Sequence, residues 1–108
     1  MLSSQQATNL ALILNELLNN ALKHGLQGMA KGQIYIGLTE ENGKVLLSVH
    51  DNGKGLPENF DIKKHSGLGL QLISTIAKNE FAGEFFLENM ERGLNAKFIF
   101  PRNRLSIQ

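Results

Sequence analysis

Apolar residues along this chain recur with two periods, and the change from one to the other marks out its elements. Over residues 10–24 the spacing is helical: at about 100° per residue, Leu10, Leu14, Leu17, Leu18, Ala21 and Leu22 fall on one broad arc. That arc predicts a helix packed on a sheet. Ser3 or Ser4 is available as its N-cap after a polar lead-in. Gly25 is a natural C-cap, since a left-handed residue commonly ends a helix. Residues 26–32 read as a loop.

The period then drops to two. Ile34, Ile36 and Leu38 share one side of a strand over 33–39, and Val45, Leu47 and Val49 share one side of a second over 45–50. Both read as half-buried strands. Asn42-Gly43 between them is a hairpin signal, so the two are antiparallel neighbours. Helical spacing returns at Leu72, Ile73, Ile76 and Ala77, predicting a second helix that opens at residues 66–70 and ends near Asn79. The last strands fall at 84–89 and 96–100, joined around Gly93 and stopped by Pro101. Residues 85–87 carry no clean alternation, so the pattern assigns them no facing. Strand pairs separated by one-faced helices predict an α+β two-layer sandwich: a mixed, mostly antiparallel sheet with the helices on one face.

Composition narrows this to a single domain. The chain has 108 residues, of which 42% are apolar. No signal peptide opens it, and its apolar runs are too short to span a bilayer, so the domain is expected to be cytoplasmic without membrane contact of its own. Cysteine is absent, which removes disulfides and thiolate metal sites. The net charge is +1 with dispersed Lys and Arg, so nucleic acid is not an expected partner.

Three stretches carry candidate chemistry. Glu16, Asn20, Lys23 and His24 form a polar stripe beside the apolar arc of the first helix, because offsets of four, seven and eight return to one face. The stripe reads either as a solvated face or as a place for a divalent cation and a polyphosphate. Asp51 closes the second strand and is followed by Gly53 and Gly55. This reads either as an ordinary Asp-Asn-Gly turn or as a carboxylate at a pocket floor, accepting a hydrogen bond from an exocyclic amine such as that of adenine. Gly67-Leu68-Gly69-Leu70 leads into the second helix. It is either a flexible lead-in or a phosphate site built from helix N-terminal amides.

Other motifs fit less well. A dinucleotide fingerprint needs a glycine where Glu58 stands and a helix where Pro57 intervenes. A calcium loop starting at Asp51 would need an oxygen ligand at Gly53 and a Glu at Ile62. A Walker loop and a Gly-x-Ser-x-Gly elbow are both missing, and His24, His50 and His65 lack metal-ligand spacing.

Taken together, the stretches resemble the histidine-kinase-like ATPase superfamily, which includes gyrase, the heat-shock chaperone and MutL. Asn15-Glu16-Leu17-Leu18-Asn19-Asn20-Ala21-Leu22-Lys23-His24 is similar to its N box. Asp51-Asn52-Gly53-Lys54-Gly55 is similar to its G1 box, residues 56–66 to its lid, and Gly67-Leu68-Gly69-Leu70 to its G2 box. The Asn-Glu-Leu and Asn-Ala-Leu-Lys-His pieces, with Gly-Leu-Pro-Glu-Asn-Phe-Asp, look like the short-lid sensor histidine kinases of two-component systems.

The resemblance implies ATP and Mg²⁺ as cofactors. Asn20 would ligate the metal, Lys23 would reach phosphate, and His24 would lie near the nucleotide. Asp51, helped by a water, would hold the adenine amine, with Gly53 and Gly55 shaping the pocket. Gly67, Leu68, Gly69 and Leu70 would offer backbone amides to the phosphates. Glu16 would occupy the position of the general base in the ATP-hydrolysing members.

The implied function is delivery of the ATP γ-phosphate to a histidine on a separate dimerisation domain, and through it to a response regulator. No phosphoacceptor hairpin fits ahead of the first helix, so the chain reads as a catalytic domain separate from its acceptor within a parent that is free to be membrane-anchored. The alternative is a free-standing serine kinase of the anti-sigma-factor type; a third reading is a nucleotide-binding fold without catalysis. One departure stands out: the family often has Gly-Thr before its last strand, whereas here Gly93 is followed by Leu94 and Asn95.

Overall fold

Ser3 starts the first helix. Its hydroxyl accepts a hydrogen bond from Gln6 N–H at 3.2 Å, the side-chain cap that an N-terminal serine supplies. The structure, a computed structural model, describes residues 3–26, 28, 30–55 and 68–105. Helix α1 spans Ser4–Asn20.

Its buried ridge is Asn9, Ile13 and Leu17, continued by Ala21, with Leu10, Leu14 and Leu18 packed partly buried beside it. The expected arc is therefore rotated toward positions 9, 13, 17 and 21, and Leu22 leaves it, 58% exposed. The cause is local. After Asn20 the helix widens into a π turn over Ala21–Gly25, closed by Leu26 N–H donating to Ala21 O at 2.9 Å. A π turn rotates less per residue, so Leu22 does not return to the α-helical face. The same turn corrects the expected C-cap. Leu26, with φ −98°, ends the helix, and Gly25 belongs to the π turn.

Strands β1, Ile34–Glu41, and β2, Lys44–Asp51, form the expected hairpin. Asn42 and Gly43 both have positive φ, 54° and 76°. That is the type I′ geometry whose twist matches paired strands.

Helix α2 spans Leu68–Phe81 and buries Ile73, Ala77 and Phe81. It runs past the expected end near Asn79, and Leu72 faces outward, 53% exposed. Ala82, at φ 52°, provides the left-handed stop, with Gly83 N–H donating to Ala77 O and Ala82 N–H to Lys78 O.

Strands β3, Glu84–Asn89, and β4, Leu94–Pro101, complete a sheet of order β1-β2-β4-β3. Among the described strands all three pairings are antiparallel, where a partly mixed sheet was expected. Pro101 still pairs with Lys44 before the chain turns away. In β3, Phe85 and Leu87 are half-buried toward the core and Phe86 is exposed, which assigns the facing that the pattern left open.

Both helices cover one face of this sheet. Val45, Leu47 and Val49 of β2 and Ala96, Phe98 and Phe100 of β4 meet Ile13, Leu17, Ile73, Ala77 and Phe81 of the helices. The Phe81 ring sits edge-on to Phe98 at 5.6 Å and tilted on Phe100 at 5.2 Å, and Phe98 stacks on Phe100 at 4.8 Å.

The helical layer does not reach the edge strand. Ile36 and Leu38 lie opposite Val49 and Leu47, on the core side, yet are 55% and 71% exposed. Alternation gave β1 its correct facing, but on that face only Ile34 packs partly buried against the core, and Ile36 and Leu38 are not covered among the described residues.

Candidate functional site

The alternation that buries Val45, Leu47 and Val49 carries one step further, to Asp51. A strand's even steps share a face, so the acid that ends β2 points into the helical layer and is 2% exposed. The end of α1 lies over it. Leu17, Asn20 and Ala21 from above and Val49, Asp51, Leu87, Leu94 and Ala96 from below line a cavity of about 30 Å³. That is room for about one water.

Asn20 and Asp51, 31 positions apart in sequence, thus share a single cavity. The Asn20 amide carries a buried Nδ2 with no hydrogen-bond partner among the described residues. A buried amide with unused capacity is uncommon in a settled core and typical of a group that meets a ligand or water.

Asp51 Oδ1 accepts a hydrogen bond from Gly53 N–H at 2.8 Å. This closes the short turn that Asp-Asn-Gly favours. The turn and the pocket floor are therefore compatible: one carboxylate does both. Asn52 turns the other way. Gln33 N–H donates to its Oδ1 at 2.8 Å, and Asn52 N–H donates to Gln33 O at 3.2 Å. On the opposite flank the β3–β4 turn packs against the loop. Gly93, at φ 81°, lies so close that a Cβ there would fall on the Asp51 carbonyl oxygen. Gly55, at φ 73°, faces Asn89 Oδ1, 2.7 Å from where its own Cβ would stand. Gly93 needs glycine for two reasons, the left-handed backbone and the lack of space, and Gly55 for its left-handed backbone, since the end of the Asn89 side chain can move.

Of the other expected site residues, Glu16 is half-buried on α1, one turn before Asn20, and Lys23 is exposed; neither lines this cavity. His24 contributes backbone to the π turn, and its side chain lies outside the described set. Leu68, Gly69 and Leu70 form the first turn of α2. Gly67 and the expected lid, residues 56–66, lie outside the described residues. Among the described residues no group of three His, Cys, Asp or Glu side chains gathers as a metal cluster.

Sequence reasoning missed the Gln33–Asn52 pair, the packing of Gly93 on Asp51, and Leu94 as a wall of the cavity. The last two depend on β4 lying next to β2, whose register pairs His50 with Asn95 and so brings Leu94 beside Asp51, whereas the Gln33–Asn52 pair extends the β1–β2 hairpin. The Gly93-Leu94 dipeptide was the available signal.

Comparison with known proteins identifies the fold. The family model described as histidine kinase-, DNA gyrase B- and HSP90-like ATPase matches residues 5–104. The sensor histidine kinase PdtaS of Mycobacterium tuberculosis is 32% identical over 106 residues, covering 96% of this chain and 21% of that protein. The nitrate/nitrite sensor protein NarX of Escherichia coli is 35% identical over 68 residues, 63% of this chain and 11% of NarX. This chain therefore spans about a fifth or less of the length of these relatives.

Among solved structures, the catalytic domain of histidine kinase ThkA superposes with a TM-score of 0.76 at 29% identity, covering 88% of this chain and 67% of that one. ThkA in complex with the response regulator protein TrrA gives 0.75 over 90% of this chain and 29% of that one, also at 29% identity. The blue-light-activated histidine kinase EL346 of Erythrobacter litoralis shares the fold, with a TM-score of 0.83 at 22% identity over 95% of this chain and 32% of that one. The chain belongs to the histidine kinase-, DNA gyrase B- and HSP90-like ATPase family.

Proposed function

We propose that this chain is the ATP-binding catalytic domain of a two-component sensor histidine kinase, presenting the γ-phosphate to a histidine of a separate dimerisation domain. The observation that carries the proposal is the cavity shared by Asn20 and Asp51, which places a helix-end amide and a strand-end carboxylate at one opening in the core. Identity to sensor kinases across nearly the whole chain supports it.

In this reading Asp51 accepts the adenine amine. Gly53 N–H already fixes one carboxylate oxygen, so the acid is held in place before the base arrives. The apolar walls, Leu17, Ala21, Val49, Leu87, Leu94 and Ala96, enclose a space beside Asp51 with room for a single bridging water, and the base lies at its opening. A base lacking the amine leaves a buried carboxylate unpaired, which gives selectivity for adenine.

Asn20 fits a magnesium ion. Its carboxamide supplies a hard neutral oxygen, and its buried Nδ2, without a hydrogen-bond partner among the described residues, marks spare polar capacity at the site. Mg²⁺ takes few protein ligands and completes its shell with phosphates and water, so one side-chain oxygen suits it. When bound, the ion neutralises phosphate charge and aligns the γ-phosphoryl group. Lys23 and the backbone amides of Leu68, Gly69 and Leu70, which open α2, would serve the phosphates.

The acceptor imidazole nitrogen attacks the γ-phosphorus. The bond from γ-phosphorus to the β–γ bridging oxygen breaks, and its electron pair leaves with ADP. Glu16, one turn before Asn20, is the candidate base for the imidazole proton. The phosphohistidine then supplies a response regulator, the class of partner that ThkA is seen to bind.

The test is a transfer assay. The chain is mixed with γ-labelled ATP, Mg²⁺ and the histidine-bearing dimerisation domain of its parent. Label on that domain supports the reading. Label on a serine of an antagonist protein instead would favour the anti-sigma type of kinase.

A further inference from the structure

The ladder between β2 and β4 ends at His50 and Asn95. Asp51, one residue further, pairs with Ile34 on the β1 side and has no ladder partner on the β4 side. What stands there instead is the β3–β4 turn. Met90 N–H closes that turn onto Gly93 O at 3.0 Å. Gly93 then presses on the Asp51 carbonyl, and a Cβ on it would come within 2.8 Å of Gly53 N. The turn is thus packed backbone to backbone on the residues that aim the carboxylate.

One side chain ties the turn to β2. His50 Nε2 lies 3.2 Å from the carbonyl oxygen of Arg92, the residue before Gly93. A carbonyl only accepts, so Nε2 carries the proton and donates. The Tyr35 ring lies against the other side of the imidazole at 5.9 Å between centroids.

We infer that His50 is a positioning residue for base recognition: it latches the β3–β4 turn, and the latched turn fixes the backbone from which Asp51 reaches the nucleotide amine. The inference rests on the reading of Asp51 given above and extends it one layer outward. His50 is on the opposite face of the sheet from Asp51, so it touches no nucleotide. Its effect passes through Arg92 and Gly93. A hydrogen bond to an amine weakens steeply with misalignment, so a loosened turn costs recognition of the base before it costs the fold.

The experiment compares MgATP with Mg-inosine triphosphate, which lacks the exocyclic amine, by calorimetric titration of the whole chain. The variants are H50L, H50Q and D51N. H50L keeps bulk and removes the donor; it is expected to weaken ATP about ten-fold, as loss of one aligned hydrogen bond does, while inosine triphosphate moves by less than about two-fold. H50Q restores most of the ATP affinity, because its amide reaches as far as Nε2 and donates. D51N collapses the ATP preference outright.

A merely structural role for His50 lowers the melting temperature and leaves the ATP-to-inosine ratio at its parental value. That result, with D51N still collapsing the ratio, overturns the latch and leaves the Asp51 reading standing. A parental ratio in D51N overturns the Asp51 reading and the latch with it. Should H50L fail to fold, H50N, whose amide is one bond too short to reach Arg92, takes its place with the same expectation.

Discussion

Gln33 and Asn52 hold each other by two hydrogen bonds, one from backbone to side chain and one from backbone to backbone. The pair carries the β1–β2 hairpin one rung beyond Ile34 and Asp51, the last rung of the ladder. Asp51 is therefore clasped on its β1 flank by this pair and on its β4 flank by Gly93. N52A removes the side-chain half of the clasp and should cost about 1 kcal/mol of stability. N52D, which still accepts from Gln33 N–H, should recover most of it. Urea unfolding of the three proteins checks both.

Two glycines with nearly the same backbone separate conformational strain from crowding. Gly28 and Gly93 have φ of 82° and 81°. A Cβ on Gly28 meets nothing within 4 Å, whereas one on Gly93 falls on the Asp51 backbone. G28A should cost about 1 kcal/mol, the left-handed penalty alone. G93A should cost about 2–4 kcal/mol, since overpacking adds to that penalty. Equal losses in the two unfolding curves would show that the turn yields freely.

Leu38 and Leu47 face each other across the hairpin on the same side of the sheet. Leu47 is 8% exposed and Leu38 71%. L47A should cost about 2–4 kcal/mol through lost burial and a cavity. L38A should stay within about 0.5 kcal/mol. Chemical denaturation reads the contrast directly.

That contrast marks the boundary of what the sequence carried. The period-two pattern placed Leu38 and Leu47 on one face correctly, because alternation is a property of the backbone. Coverage is a property of where the helices lie, and no local period encodes it. Leu22 and Leu72 show the same thing on the helices. Each fits an apolar arc, and each points outward, Leu22 because a π turn intervenes and Leu72 because the buried ridge of α2 runs through Ile73, Ala77 and Phe81.

The candidate site was legible where it followed from one element at a time. Asp51 continues the buried face of β2, and Asn20 ends α1. The roles of His50 and Gly93 depend on strand order, and the meeting of Asn20 and Asp51 on where α1 lies over the sheet. The order β1-β2-β4-β3 sets β4 between β3, its neighbour in sequence, and β2, its neighbour in space alone.

Asn20 carries the proposal for the metal. In the parent protein Mg²⁺ is expected to strengthen ATP binding. N20A should remove that Mg²⁺-dependent gain while leaving the metal-free affinity within about two-fold, since without the ion the carboxamide has no link to the phosphates. Titration with ATP in magnesium and in chelator checks it. A full Mg²⁺ gain in N20A would place the ion elsewhere.

The central claim is that one nucleotide binds at the opening between the end of α1 and the end of β2. Its most direct measurement is an amide chemical-shift titration of the chain with a non-hydrolysable MgATP analogue. The account predicts that the largest shifts map to Leu17, Asn20, Ala21, Asp51, Gly53 and Leu94. Shifts confined to the open face of the sheet, at Glu84, Phe86 and Ile99, or none at saturating nucleotide, would contradict it.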